Sequence, residues 1–142
     1  MNPIYYSTMQ VTCKSPFQAE ISLKDSVMHV IGSTLLLATI DQLRKTNGDD
    51  PRKWPTLEPL KTEDDLLINE FILKCKSEFK LAYEHAELCH CRMITAEKVF
   101  DSIKQGCRTI EDVGRTTLAG TGCGSCRPDI EKLLTQFRLT PN

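Results

Sequence analysis

The sequence predicts an all-α fold, with room for a short β element at the N-terminus. Three observations predict it. Apolar residues recur at spacings of three and four along most of the chain. Ser, Thr, Asp or Pro stands where these runs begin, and Gly stands where two of them end. The 142 residues suffice for one ordinary domain or two small modules. Hydrophobic residues at 40% and charged residues at 26% exclude a disordered tail and a coiled-coil rod. A net charge of −1 gives no bulk attraction to nucleic acid or to an anionic membrane.

The elements follow in order. Residues 1–24 alternate weakly, and Ile4-Tyr5-Tyr6 and Met9-Gln10-Val11-Thr12-Cys13 are expected as short strands, with Pro16 as a breaker. Asp25 or Ser26 is the expected N-cap of a first helix running to about Lys45. Its stripe is Met28, Ile31 and Leu35, with Leu36, Ile40 and Leu43 beside it. The run Leu35-Leu36-Leu37 exceeds the face one helix buries and is expected to dock a partner or a second copy. Asn47-Gly48 is a stop, because Gly tolerates the left-handed conformation at a helix end. Pro51, Pro55 and Pro59 then mark a linker, with Trp54 expected to pack on a neighbouring helix. A second helix is expected from Glu63 to His85, with Ile68, Ile72, Cys75, Phe79 and Ala82 on one face. Residues 1–63 thus read as an N-terminal helical region with a Pro-rich linker, 64–86 as a connecting helix and 87–138 as a separate C-terminal module.

Composition changes at Cys89. Residues 1–88 carry 10 Lys+Arg against 13 Asp+Glu, and residues 89–142 carry 8 against 6, with five of the seven cysteines. Thr95 caps a helix to Gln105, with Ala96, Val99, Phe100 and Ile103 inward. Gly106 is its C′ residue and Cys107 follows in a packing position. Thr109-Ile110-Glu111-Asp112 is a variant capping box that opens a helix to about Leu118. Pro128 suits the first turn of the last helix, which turns Ile130, Leu133, Leu134 and Phe137 inward. The module therefore reads as a helix-turn-helix type with its loops free to hold a metal centre. Recognition of DNA by such a module needs a basic surface, which a net +2 does not supply.

The opening MNPIYYSTMQ lacks the basic and apolar regions of a signal peptide. The most apolar run, Val30 to Ile40, has 11 residues where a membrane span needs about 20. A soluble, cytoplasmic protein is expected. Clustered cysteines in that reducing compartment point to metal or redox chemistry.

Four of them are arranged for it. Cys89-His90-Cys91 is a C-x-C, and Cys123-Gly124-Ser125-Cys126 is a C-x-x-C. In extended chain, residues i and i+2 point the same way, so both sulfurs of a C-x-C can face one centre. A C-x-x-C at a helix start sets two sulfurs about a turn apart, beside unpaired N–H groups. The 31 intervening residues hold two short helices, and an antiparallel pair brings the two motifs together. Gly120, Gly122 and Gly124 let backbone N–H groups approach an anion. Their G-x-G-x-G spacing lacks the preceding strand and the offsets of a dinucleotide loop. Four thiolates on two ferric ions and two sulfides would carry a charge of −2. Arg92 and Arg127 each follow a ligand motif directly, and Arg108 and Arg115 flank the second helix of the module. A four-thiolate zinc site uses the same ligands, and spacing alone does not separate the two. His90 is expected to face outward or to support the centre, and Cys75 to sit in a core.

The segment CHCRMITAEKVFDSIKQGCRTIEDVGRTTLAGTGCGSCRPDIEKLL resembles the domain typified by bacterioferritin-associated ferredoxin. The C-x-C and C-x-x-C are matched in full, and the approach EDVGRTTLAGTGCGSC is most similar to the modules of NifU scaffolds and assimilatory nitrite reductases. The resemblance covers residues 87–136. It implies that Cys89, Cys91, Cys123 and Cys126 bind a 2Fe–2S cluster, with Arg92, Arg127, Gly122 and Gly124 around it. It also implies ferredoxin-like electron transfer, or carriage of the cluster as an assembly accessory, with a redox partner protein or a larger oxidoreductase or assembly complex. A zinc-stapled interaction module is the remaining alternative. Cys13 and Cys75 do not stand in the pattern of a scaffold's assembly domain, and the extra N-terminal region removes bacterioferritin as an expected partner. No general base, nucleophile pair or substrate pocket is legible, so the chain is not read as an enzyme.

Overall fold

The computed structural model describes residues 10–15, 18–83 and 85–140. The strand expected at Ile4–Tyr6, residue Met9 and the breaker Pro16 lie outside them. The fold is an α/β mix rather than all-α, with two small sheets. The chain divides into two compact units, Met1–Glu58 with Asp64–Phe79, and Pro59–Glu63 with Lys80–Asn142. Among the described residues no helix is long and apolar enough to cross a membrane.

In the first unit, β1 (Val11–Ser15), β2 (Ala19–Lys24) and β3 (Val27–Ile31) form an antiparallel sheet in sequential order. This overturns the helix expected to begin at Asp25 or Ser26. Both residues have positive φ, 51° and 66°, and form the two-residue turn between β2 and β3. Such a turn matches the right-handed twist of the strands it joins. Met28 and Val30 face the core at a spacing of two, and Ile31, assigned above to a helical stripe, is exposed. The helix starts later. Ser33 is its cap, accepting from the Leu36 N–H at 3.1 Å, and α1 runs Thr34–Asn47. Leu36, Ile40 and Leu43 are buried, whereas Leu35 and Leu37 are exposed.

Trp54 is fully buried after a 3₁₀ turn at Pro51–Lys53, and its indole N–H donates to the Gly48 carbonyl at 2.8 Å. Asn69 fastens the segment that follows, bonding both the N–H and the carbonyl of Leu57. Asn69 belongs to α2 (Glu63–Cys75), which contributes Leu67, Ile68, Phe71, Ile72 and Cys75 to the core around Trp54, Cys13, Ile21 and Leu23. The second helix therefore stops ten residues short of the expected His85. Ser77 adopts φ 59°, and the N–H groups of Ser77 and Glu78 bond the carbonyls of Lys74 and Leu73. This is a Schellman ending with serine in place of the usual glycine. Phe79 and Ala82 follow outside any helix. Burial, with the Asp50 charge adding to it, pushes the Cys75 thiol up to about 12, as befits an inert core residue.

The second unit opens with a short hairpin of β4 (Glu87–Cys89) and β5 (Ile94–Thr95), followed by α3 (Ala96–Gln105), α4 (Ile110–Thr117) and α5 (Arg127–Gln136). Thr95 accepts from the Lys98 N–H at 3.1 Å and caps α3. Gly106 at φ 122° ends it, with the N–H groups of Gly106 and Cys107 on the carbonyls of Ile103 and Ser102. Thr109 caps α4 through the Asp112 N–H at 3.0 Å. The Asp112 carboxylate takes the Arg108 N–H, the bond that leads those lowering its pKa, with the Arg115 and Thr109 side chains adding to it. Val99, Phe100, Ile103, Val113, Ile130 and Leu133 are buried between the three helices. Phe137 is half-buried, its ring centroid 4.6 Å from that of Phe100. A shared apolar core thus fixes where the ends of these helices, and the loops between them, come together.

Candidate metal centre

Cys89 ends β4, and Cys91 lies in the turn that leads to β5. Cys123 lies in the loop after α4, and Cys126 is the residue before α5. The hairpin was not legible in the sequence, because strands of three and two residues are too short to show alternation. Its effect is to carry both thiols of the C-x-C towards the glycine loop. The Cys89 and Cys91 sulfurs are 3.8 Å apart, and the Cys91 and Cys123 sulfurs 3.7 Å. Cys89 is also in contact with Cys126. The sulfurs therefore form a chain, Cys126–Cys89–Cys91–Cys123. Sulfurs sharing one tetrahedral metal with bonds of about 2.3 Å stand about 3.8 Å apart. Among the described residues no group of three or more His, Cys, Asp or Glu side chains is placed to hold one metal ion.

The sulfurs differ in exposure. Cys89 and Cys126 are buried, and Cys91 and Cys123 are exposed. Backbone N–H groups are aimed at them. Gly120 donates to Cys89 and Cys126, Arg92 to Cys89, Cys123 to Cys91, and Ser125 to Cys123. Gly120 has φ 76°, a conformation that turns its amide inward and that a β-carbon would strain. Such converging amides form an anion-binding nest. The Ser125 hydroxyl lies 3.1 Å from the Cys123 sulfur.

These contacts split the thiols. The Ser125 hydroxyl and N–H lower the Cys123 pKa to about 7. Burial opposes ionisation of Cys89, but the N–H groups of Gly120 and Arg92 and the Cys126 and Cys91 thiols outweigh it and hold its pKa below the usual thiol value. Burial, with Cys89 alongside, pushes Cys126 up to about 11. The Cys123 N–H favours the Cys91 thiolate, yet the Cys123 thiol, desolvation and the Cys89 thiol together raise its pKa. These contacts thus favour ionisation at Cys123 and Cys89 and disfavour it at Cys126 and Cys91.

The other expected residues fall as follows. Gly122 faces Cys91 so closely that a β-carbon there would lie 2.5 Å from its sulfur, and the Arg92 guanidinium lies over the same position. Gly124 has φ 80° and its carbonyl accepts the Arg127 N–H at the entrance to α5. Arg127 pairs with Glu111 at 3.2 Å, Arg108 with Glu63 at 2.7 Å, and Arg115 with Asp112. Arg92 is the arginine whose guanidinium lies beside the Gly122–Cys91 contact. His90 is exposed, its Nδ1 3.1 Å from Glu87. Cys107 is buried outside the cluster, its sulfur 3.3 Å from the Thr116 hydroxyl. Ser125 was not singled out in the sequence, although its place inside the C-x-x-C was the available signal.

Residues 88–136 match the family model of the BFD-like [2Fe-2S] binding domain. This segment is a BFD-like 2Fe–2S binding domain. The segment is also similar to two enzymes. The nitrite reductase [NAD(P)H] of Emericella nidulans is 39% identical over 57 residues, which are 39% of this chain and 5% of that protein. The nitrite reductase (NADH) large subunit of Escherichia coli is 35% identical over 51 residues, 36% of this chain and 6% of that protein. The chain therefore matches only about a twentieth of the length of these relatives. No solved structure matches it. The donor set of the BFD-like domain fits the cluster its family binds: four thiols in one loop cluster, with converging amides to offset negative charge.

Proposed function

We propose that Cys89, Cys91, Cys123 and Cys126 ligate the 2Fe–2S cluster and that the chain transfers single electrons, within a larger oxidoreductase or to a redox partner protein. The observation that carries this reading is the convergence of four thiols from two distant motifs under a nest of amides. A 2Fe–2S cluster supplies one-electron chemistry at iron. The chain's own residues hold and screen it. Cys89 and Cys126 anchor it on the core side, excluding water there. Cys91 and Cys123 leave an edge open to a partner, and the amides of Gly120, Arg92 and Ser125 stabilise the negative sulfurs. The relatives are nitrite reductases, and we take the chain to serve electron delivery of that kind rather than substrate conversion of its own.

The test is a visible spectrum of the anaerobically purified chain, with iron, sulfide and zinc counted in the same sample. We expect charge-transfer bands that bleach with dithionite and about two irons and two sulfides per chain. A colourless protein with one zinc, still colourless after anaerobic reconstitution, would sink the reading. The exposed Cys91 and Cys123 edge also suits a second reading, cluster transfer to an apo-acceptor. Mixing with an apo-ferredoxin separates the two, because an electron carrier keeps its iron through repeated redox cycles.

Gly122→Ala is expected to cut iron content at least by half. Its β-carbon would stand where the Cys91 sulfur is held, and a thiolate fixed by iron cannot swing aside. Full iron content in this variant would show that Cys91 is not held there.

A further inference from the structure

We propose that the Ser125 hydroxyl, at the exposed sulfur of Cys123, tunes the reduction potential of the centre. The inference rests on Cys123 being a ligand, as proposed above. Reduction adds one negative charge that the thiolates share. A donor on a thiolate stabilises the reduced form more than the oxidised form, so it raises the potential. Most donors on these sulfurs are backbone amides of Gly120, Arg92, Cys123 and Ser125, which the fold supplies whatever the side chains. Among the described residues Ser125 alone offers a side-chain hydroxyl to any of the four sulfurs, 3.1 Å from Cys123. A thiolate cannot donate, so with the cluster bound the hydroxyl must be the donor.

Position sets the size of the effect. Cys123 and Cys91 are exposed and their sulfurs are in contact at 3.7 Å, whereas Cys89 and Cys126 are buried. Solvent reaches the centre on the Cys123 side, so water replaces part of the hydroxyl's hydrogen bond in Ser125→Ala and the expected change stays within tenfold. Ser125 is therefore a positioning residue on the open edge. It bonds a ligand without itself binding iron, and it sits two residues from that ligand in a turn that leads into α5.

The experiment is a spectroelectrochemical titration of the full chain, loaded anaerobically, in wild type, Ser125→Ala and Ser125→Thr. At a fixed mediator potential, Ser125→Ala is expected to lower the ratio of reduced to oxidised protein three- to tenfold, at most about 59 mV for one electron. Ser125→Thr keeps the hydroxyl and is expected to return to the wild-type ratio. A change below twofold in a fully loaded Ser125→Ala protein overturns the tuning role and leaves the ligand assignment standing. An equal shift in Ser125→Thr also overturns it, since the effect would then belong to loop packing. Should Ser125→Ala fail to load, Ser125→Thr against Ser125→Val poses the same question at nearly constant shape. Cys123→Ala is measured alongside: full iron and sulfide in that variant overturns the ligand assignment itself.

Discussion

Cys89→Ala is expected to reduce iron and sulfide from about two each per chain to near zero after anaerobic reconstitution, while the helical circular dichroism stays. Cys89 stands in the middle of the sulfur chain, contacting both Cys126 and Cys91, and it is fully buried. Water does not reach the vacated position easily, so no substitute ligand is at hand. The helices are expected to be retained because Val99, Phe100, Ile103, Val113, Ile130 and Leu133 supply a buried apolar core that the substitution leaves in place. Cys75→Ala is the control. Its thiol lies in the core of the other unit, and its loss is expected to leave the visible spectrum unchanged. Undiminished charge-transfer bands in Cys89→Ala would remove Cys89 from the ligand set.

The second large effect is expected in the first unit. Trp54→Ala should destabilise it by about 3–5 kcal/mol, as for other large-to-small core changes. The ring is fully buried in an apolar cluster that includes Phe71 and Ile72, and its loss also removes the 2.8 Å indole N–H bond to the Gly48 carbonyl. For a unit of this size each kcal/mol lowers the melting temperature by roughly 4–8 °C. The melt of the first unit, followed by hydrogen exchange at Leu67 and Phe71, should therefore fall by at least about 12 °C. Trp54→Phe keeps most of the apolar bulk and should lose less than half as much. A fall under about 4 °C in Trp54→Ala would mean that the ring is not part of the core.

The second unit was the more legible part of the sequence. Thr95, Gly106, Thr109 and Pro128 each mark a helix end by a side-chain bond or a backbone constraint that acts within four residues, so local reasoning finds them. The C-x-C and C-x-x-C motifs were legible for the same reason. The first unit was misread where the decisive contacts are distant. Met28 sits three residues before Ile31 and suits a helical stripe, but it pairs across the sheet with Leu23. Asp25-Ser26 looks like a cap and is a hairpin turn, because positive φ is taken there by residues other than glycine. Ser77 ends α2 in the same way, and a search for glycine passes it by. What no spacing rule supplies is the difference between the sulfurs: which are buried, and which amides reach them, is set by the loop after α4 and by the short hairpin.

The uneven exposure of the four thiols also bears on how the centre ages. Dioxygen and peroxide arrive from solvent, so they meet Cys91 and Cys123 first and the core-side pair last. Were the four thiols to hold the cluster as proposed, attack would begin at that edge, with Cys89 and Cys126 shielded by burial. Under the ligation proposed above, early sulfenic or disulfide forms at Cys91 and Cys123 would be open to reduction by thiols from solvent, whereas sulfinic and sulfonic forms would not be reversed.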